Sequence, residues 1–219
     1  MIDYLGLKIY WLGHDCFRIE GKVNIYIDPF RLDKVRNKAD LILITHSHSD
    51  HFSITDIIKI VSDDTIIVAP KKCENELKKH GLIKTKIAKA GETLSILGIN
   101  LKVLPAYNVN KLKPDKTPFH NNESEDFLGY LIKIDEVSIY HTGDTDFIPE
   151  MNGLNVDVMF IPVSGTYVMT PDEAAEAVRR IKPKLAIPMH YGSIVGDIKD
   201  AEKFSNMAEC KVIILNKET

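Results

Sequence analysis

The chain has 219 residues, 44% of them hydrophobic, enough for one sizeable core and too few for two comfortable domains, so residues 1–219 are expected to form a single domain. A formal charge of −3 supplies no basic field for gripping a nucleic-acid backbone. Three cysteines, Cys16, Cys73 and Cys210, stand in no C-x-x-C spacing, so neither a disulfide framework nor a thiolate metal site is indicated. With no positively charged leader and no apolar run near membrane-spanning length, these features predict a soluble, cytoplasmic protein.

In chain order, Lys8 to Leu12, Phe17 to Glu20 and Val23 to Ile27 are short strand-like runs separated by turn residues, which predicts an opening antiparallel meander. It ends at Asp28-Pro29, where proline stops sheet pairing. His14 falls in the first turn, where it either contacts the site or is merely a hydrogen-bonded turn residue, and Asp28 reads as a turn anchor.

Leu41 to Ile44 is an apolar, branched run of the kind that forms a strand buried on both faces. The sequence T-H-S-H-S-D-H-F follows it, placing His46, His48, Asp50 and His51 within six positions on the loop that leaves the strand. Imidazole and carboxylate are ligands that borderline and hard divalent ions accept. Alternation lets His46 and His48 point one way while Asp50 and His51 turn towards a second point nearby, so two adjacent metal positions are expected.

Ser53 with Asp56 three residues on resembles a helix start, and Ile54, Ile57, Ile58 and Val61 follow at helical spacing, expected to pack on the sheet. Thr65 to Val68 reads as a strand, and Pro70 to His80 as a surface helix ended by Gly81. Lys86 to Lys89, Thr93 to Leu97 and Ile99 to Leu104 predict a second meander. From Pro105 to Asp126 there is almost no periodicity, and an aperiodic loop of that length inside a compact domain is usually functional.

Phe127 to Ile134 and Val137 to Tyr140 form a hairpin-like pair leading into His141-Thr142-Gly143-Asp144-Thr145-Asp146. Val156 to Pro162 is a further buried strand followed by the loop Ser164-Gly165-Thr166. Thr170-Pro171-Asp172-Glu173 is a capping box with proline at the first helical position, and Lys182-Pro183 ends the helix it opens. Leu185 to Pro188 returns as a strand that stops at Met189-His190-Tyr191, Ala201, Phe204 and Ala208 mark a last helix, and Val212 to Leu215 a last strand. Alternating helices with strands mostly in meanders, in both halves of the chain, fit two mixed sheets packed face to face with helices outside.

The H-x-H-x-D-H run after an apolar strand resembles the metal-binding signature of the metallo-β-lactamase superfamily. The T-G-D-T around Asp144 and the M-H-Y-G around His190 match its later motifs, in the same order. The resemblance implies an α+β fold, a four-layer αβ/βα sandwich of two mixed sheets with helices on the outer faces. It also implies an aspartate, here Asp144, bridging two metal ions and a late histidine, here His190, completing the second position. The sequence departs at the third early histidine, where P-A-Y-N-V-N stands in its place. The branch of metal-dependent hydrolases with a similar Y-N followed by a downstream histidine makes His120 the candidate, with Asn108 as a weaker oxygen donor.

The ligand set expected is therefore His46, His48, Asp50, His51, His120, Asp144 and His190, with Asp50 also a catalytic general base or proton shuttle. His141 is expected to be packed near the site rather than ligating, and Asp146 to hydrogen-bond a ligating imidazole. Tyr107, Thr166 and Tyr191 are candidate donors to substrate. Two divalent ions, zinc or else manganese, iron or nickel, would lie about 3.5 to 4 Å apart and lower the pKa of a shared water. A hydroxide bridging them would cleave a small ester, lactone or phosphodiester, and the partner is a small molecule with no membrane involved. The alternatives are a nucleic-acid phosphodiesterase on the same scaffold, against which the acidic balance argues, a di-iron redox centre, and a metal-binding protein without turnover.

Overall fold

The computed structural model describes residues 1–121 and 126–218, so part of the aperiodic loop from Pro105 to Asp126 lies outside the described residues. The strands are β1 (Ile2–Tyr4), β2 (Leu7–Gly13), β3 (Cys16–Glu20), β4 (Ile25–Ile27), β5 (Leu41–Leu43), β6 (Ile66–Ala69) and β7 (Thr85–Ile87), then β8 (Thr93–Ile96), β9 (Ile99–Pro105), β10 (Leu128–Ile134), β11 (Val137–His141), β12 (Val158–Pro162), β13 (Leu185–Met189) and β14 (Lys211–Val212). The helices are α1 (Ile54–Ile60), α2 (Glu74–Lys79), α3 (Pro171–Ile181) and α4 (Ile198–Met207).

Each half of the chain builds one seven-stranded sheet whose strands lie in sequence order. In the first, β1 to β4 pair antiparallel and β4 to β7 parallel. In the second, β8 to β11 pair antiparallel and β11 to β14 parallel. Parallel neighbours need a crossover, and among the described residues α-helices supply four of the six in matching places: α1 and α2 after β5 and β6, α3 and α4 after β12 and β13. The sequence displays no repeat, yet the topology is one arrangement made twice, and it gives the two mixed sheets with outer helices that were expected.

Alternation sorts the first sheet's side chains. Ile9, Phe17, Ile19, Ile25, Ile27, Leu41 and Leu43 enter the core shared with the second sheet. Tyr26, Ile42, Ile44, Ile67 and Ala69 face outward under Ile57 and Ile60 of α1 and Leu77 of α2. Across the shared core Phe17 stacks on Phe160, with centroids 3.9 Å apart. The second sheet's outer face takes Ala174, Val178 and Ile181 of α3, whose capping box at Thr170 and Glu173 forms as its sequence predicts. Among the described residues no helix is long and apolar enough to cross a membrane.

Some boundaries differ. Strand β1 has no alternation long enough to announce it and exists because Ile2 and Tyr4 pair with Ile9 and Leu7. On α1 the buried face carries Asp56, Ile57 and Ile60, leaving Ile58 exposed. Ile58 was expected on the sheet; the helix starts at Ser53 as expected, but its buried stripe runs through Asp56, Ile57 and Ile60, and Asp56 is drawn in by the backbone N–H groups of Arg31 and Leu32, both of which donate to it. The segment from Pro70 is a 3₁₀ turn, Lys71–Cys73, before α2, and the last strand is Lys211–Val212 rather than Val212 to Leu215.

Candidate metal centre

The loops leaving β5, β11 and β13 meet at one edge of the two sheets, where strand ends of parallel sheets gather ligands. Asp28, wholly buried after β4, accepts the backbone N–H of Thr45 at 2.7 Å and the Thr45 hydroxyl, and its Oδ2 lies 2.8 Å from His51 Nδ1. It is thus more than the turn anchor expected from sequence. His51 donates from Nδ1 to Asp28, which turns its Nε2 to the centre. Thr45 Oγ1, its hydroxyl donating to Asp28, accepts from His46 Nδ1 at 3.0 Å, which likewise turns His46 Nε2 to the centre, towards His48 Nδ1. Ser164, a residue given no role from sequence, lies 2.9 Å from His190 Nδ1 and orients that ring by its other nitrogen.

Two clusters result. The ligand-capable atoms of His46, His48 and His120 lie within 4.8 Å of one another. Those of His14, Asp50, His51 and His190 do the same, as do those of Asp15, His51, Asp144 and His190. Asp144 stands between: its Oδ2 is 3.5 Å from His120 Nε2, 3.9 Å from His46 Nε2 and 3.3 Å from His190 Nε2, while its Oδ1 is 3.5 Å from His51 Nε2. Gly143 permits this approach. Its φ is +66°, and a Cβ there would fall 2.5 Å from the carbonyl oxygen of Leu128. His14, Asp28 and His190 take positive φ without being glycine, backbone strain that these contacts hold in place.

Electrostatics separates the clusters. Burial pushes His46, His48 and His120 down, His120 to about 4, so all three offer neutral lone pairs at pH 7. Burial works the same way on His51 and His190, but Asp144, with Asp28 on the former and Asp15 on the latter, outweighs it; His51 is raised and His190 reaches about 9. For Asp144, burial is outweighed by His190 and His51, and its carboxyl is held well below the usual range. Asp50, where the hydrogen bond from His14 and the charge of His51 overcome burial, lies at about 2. Asp15 is raised by burial.

The donor set fits divalent cations. His46 Nε2 and His48 Nδ1 are 3.0 Å apart, a separation two ring nitrogens hold only around a shared proton or cation. Buried His51 Nε2, Asp144 Oδ1 and both Asp15 oxygens have no hydrogen-bond partner. Polar atoms in such surroundings are costly unless paired, and no Lys or Arg contacts them among the described residues. Above the clusters opens a cavity of about 200 Å³, lined by His48, Asp50, His120, Asp144 and His190 together with Phe119, Tyr167, Ile194 and Val195.

All seven expected ligands are therefore brought together, and His14 joins them, 3.1 Å from Asp50 Oδ2. Asn108 is not poised as a ligand: its Oδ1 accepts the backbone N–H of His120 at 2.9 Å and its Nδ2 donates to the carbonyl of Tyr167 at 2.8 Å. It ties down the loop that carries His120. Asp146 bonds no imidazole, contrary to expectation; it accepts the N–H groups of Val109 and Asn110 and pairs with Lys111, because the loop's backbone donors lie nearer. The Tyr107 hydroxyl turns away to Glu150, and Tyr191 is buried with its ring stacked on Trp11, 4.9 Å between centroids. Thr166 does not line the cavity; its neighbour Tyr167 does. His141 is buried, with Nε2 2.9 Å from the carbonyl of Asp15 and Nδ1 accepting from Gly143, so it buttresses two loops of the site. Asp15 was read only as turn material; the signal for it, an acid beside a histidine in a tight turn, has no spacing to mark it. Cys16 and Cys73 are buried, which pushes both thiols up and away from nucleophilic use.

A sandwich of two mixed sheets with a histidine and aspartate cluster at one edge defines a metallo-hydrolase fold. Residues 8–190 match the family model described as the β-lactamase superfamily domain. A UPF0173 metal-dependent hydrolase of Thermoplasma acidophilum is 35% identical, the alignment covering 93% of this chain and 91% of that one. A UPF0173 metal-dependent hydrolase of Methanoculleus marisnigri is 32% identical over 93% and 89%. Among solved structures, the metallo hydrolase Igni18 of Ignicoccus hospitalis superposes with a TM-score of 0.77 at 23% identity, over 97% and 96% of the two chains, a likeness of fold. The chain belongs to the metallo-β-lactamase superfamily and, within it, to the UPF0173 metal-dependent hydrolases.

Proposed function

We propose that this metal-dependent hydrolase works with two divalent ions and cleaves a small carboxylic ester or lactone. The observation that carries the reading is the position of Asp144 between the two clusters, its Oδ2 within 3.9 Å of His46 and His120 on one side and 3.3 Å from His190 on the other, its Oδ1 3.5 Å from His51. His46, His48 and His120 would hold one ion, Asp50, His51 and His190 the other, and Asp144 both. Imidazole-rich sets suit zinc, and manganese, iron and nickel are accepted by the same donors. When bound, such a pair supplies a water of lowered pKa and polarises the substrate oxygen.

The protein's own residues then have distinct tasks. Asp28, Thr45 and Ser164 fix the imidazoles by their far nitrogens, so that the donor atoms need no rearrangement on binding. Asp50, partly exposed to the cavity and held by the hydrogen bond from His14, would accept the proton of the attacking water. Phe119, Tyr167, Ile194 and Val195 exclude water and receive an apolar acyl or ring portion. That lining favours an ester or lactone over a phosphodiester, whose non-reacting substituents are polar.

Elemental analysis of the protein reconstituted with zinc, paired with a rate screen of small esters, lactones and phosphodiesters, tests the reading. Two ions per chain and ester or lactone turnover abolished by His48→Ala are expected. Turnover that survives that substitution would move the chemistry elsewhere, and a preference for phosphodiesters would overturn the substrate class.

A further inference from the structure

Asp15 belongs to no motif, yet its side chain is wholly buried, and both of its carboxylate oxygens are without a hydrogen-bond partner among the described residues. A carboxylate in that position is costly without a donor or a cation beside it. What surrounds it is a set of ligand atoms: Oδ2 is 3.4 Å from His14 Nε2 and 3.9 Å from His51 Nε2, and it shares one small volume with Asp144 and His190.

We infer that Asp15 is an additional ligand of the second metal position and makes that position selective for a harder ion than the first. The inference rests on the two-ion reading above. The first position would draw three imidazoles and a share of Asp144, a nitrogen-rich set that suits zinc. The second would draw carboxylate oxygen from Asp15, Asp50 and Asp144 besides the imidazoles of His51 and His190. With His14 also grouped there, five or more donors exceed a tetrahedral zinc site, and the three carboxylates among them suit manganese or ferrous iron. The fold explains why the two positions differ. Asp15 is delivered by the tight turn between β2 and β3, whereas the corresponding place in the second half, between β9 and β10, delivers His120 instead.

The test uses Mn²⁺ as the hard-ion probe on full-length protein preloaded with one equivalent of Zn²⁺, bound manganese being counted by electron paramagnetic resonance and both metals by elemental analysis. Wild type is expected to take one Mn²⁺ beside its Zn²⁺. Asp15→Asn, which keeps the side chain's shape, should bind Mn²⁺ roughly ten- to a hundredfold more weakly while retaining the zinc. Equal manganese affinity in the two proteins would show that Asp15 merely balances nearby imidazolium charge, and would overturn the inference while leaving the two-ion reading intact. A wild type that takes a second zinc but no manganese would overturn the hard-ion selectivity. A wild type that holds one ion of either kind would bring down the two-ion reading and the inference with it. If Asp15→Asn fails to fold, anomalous scattering from manganese in crystals of the loaded wild type decides the matter: an ion in bonding contact with Asp15 upholds the assignment, and one out of its reach refutes it.

Discussion

The turn between β2 and β3 and the loop between β9 and β10 occupy the same place in the two halves of the molecule, and they solve one problem in opposite ways. The first is a two-residue reversal in which His14 takes a positive φ of 52° and Asp15 follows directly, so both side chains are positioned by the strands themselves. The second spans residues 106–127 and needs fasteners: Asn108 to the backbone of His120 and Tyr167, Asp146 to the N–H groups of Val109 and Asn110, and Lys111 to Asp146 and Glu173. A short turn inherits the rigidity of its sheet, while a long loop must be held by side chains that do nothing else. The same contrast runs through the site, where Asp28 alone fixes His51 and, through Thr45, His46, while His120 is held by a distributed set of bonds.

Removing the keystone of the first half should have the largest consequence. Asp28→Ala strips partners from the Thr45 N–H, the Thr45 hydroxyl and His51 Nδ1, all buried. A loss of about 3 kcal/mol in unfolding free energy is expected, together with at least a tenfold loss of metal affinity. Urea denaturation of the ion-free chain and competition with a chromogenic chelator would measure the two, and a stability within 0.5 kcal/mol of wild type would show that the first half is not held as described, since changes that small are typical of ordinary surface substitutions.

In the second half, Asn108→Leu should be milder and more local. Two hydrogen bonds are lost at about 1 kcal/mol each, and His120 gains freedom, so affinity should fall by about tenfold for the ion held by His46, His48 and His120 and stay unchanged for the other. Site-resolved titration with Co²⁺, followed by absorption, distinguishes the two ions; equal weakening of both would erase the contrast drawn between turn and loop.

The smallest effect concerns the fastening of the loop to α3. Burial of Glu173 is outweighed by its bond to Lys111, and its carboxyl is lowered from 4.5 to about 2. A depressed folded value means that the pair stabilises the protein above pH 4.5 and that the contribution is lost as pH falls towards 2. Lys111→Met should therefore cost about 1 kcal/mol at neutral pH and flatten the stability profile between those limits, read by thermal unfolding at stepped pH. An unaltered acid slope would mean that Asn110 and the Thr170 N–H, not Lys111, hold Glu173 down.

The ligands were legible wherever chemistry and chain direction coincide. His46, His48, Asp50 and His51 crowd one loop after an apolar strand, and Asp144 and His190 each follow another, so strand ends alone suffice to bring them together. His120 could be named only by resemblance, since nothing in its own neighbourhood distinguishes it from a surface histidine. Asp15, Ser164 and the second task of Asp28 left no pattern, because a residue that supports another across the fold is chosen by distance in space. Tyr107, Asp146 and Tyr191 erred for the converse reason: nearness in sequence to a site residue does not decide which way a side chain turns.

By itself the sequence marked most of the strands and helices and the three loops that carry most of the candidate ligands, because periodicity and ligand spacing are properties of neighbouring residues, while the sandwich of two mixed sheets was fixed only with the family resemblance. The tertiary structure alone decided that the two halves are one topology made twice, that the buried carboxylate of Asp15 stands without a hydrogen-bond donor beside His51, Asp144 and His190, and that His120 reaches His46 and His48 from a fastened loop. Those facts depend on which strand ends meet across the core, and burial and distance between remote residues exist only once the chain has folded.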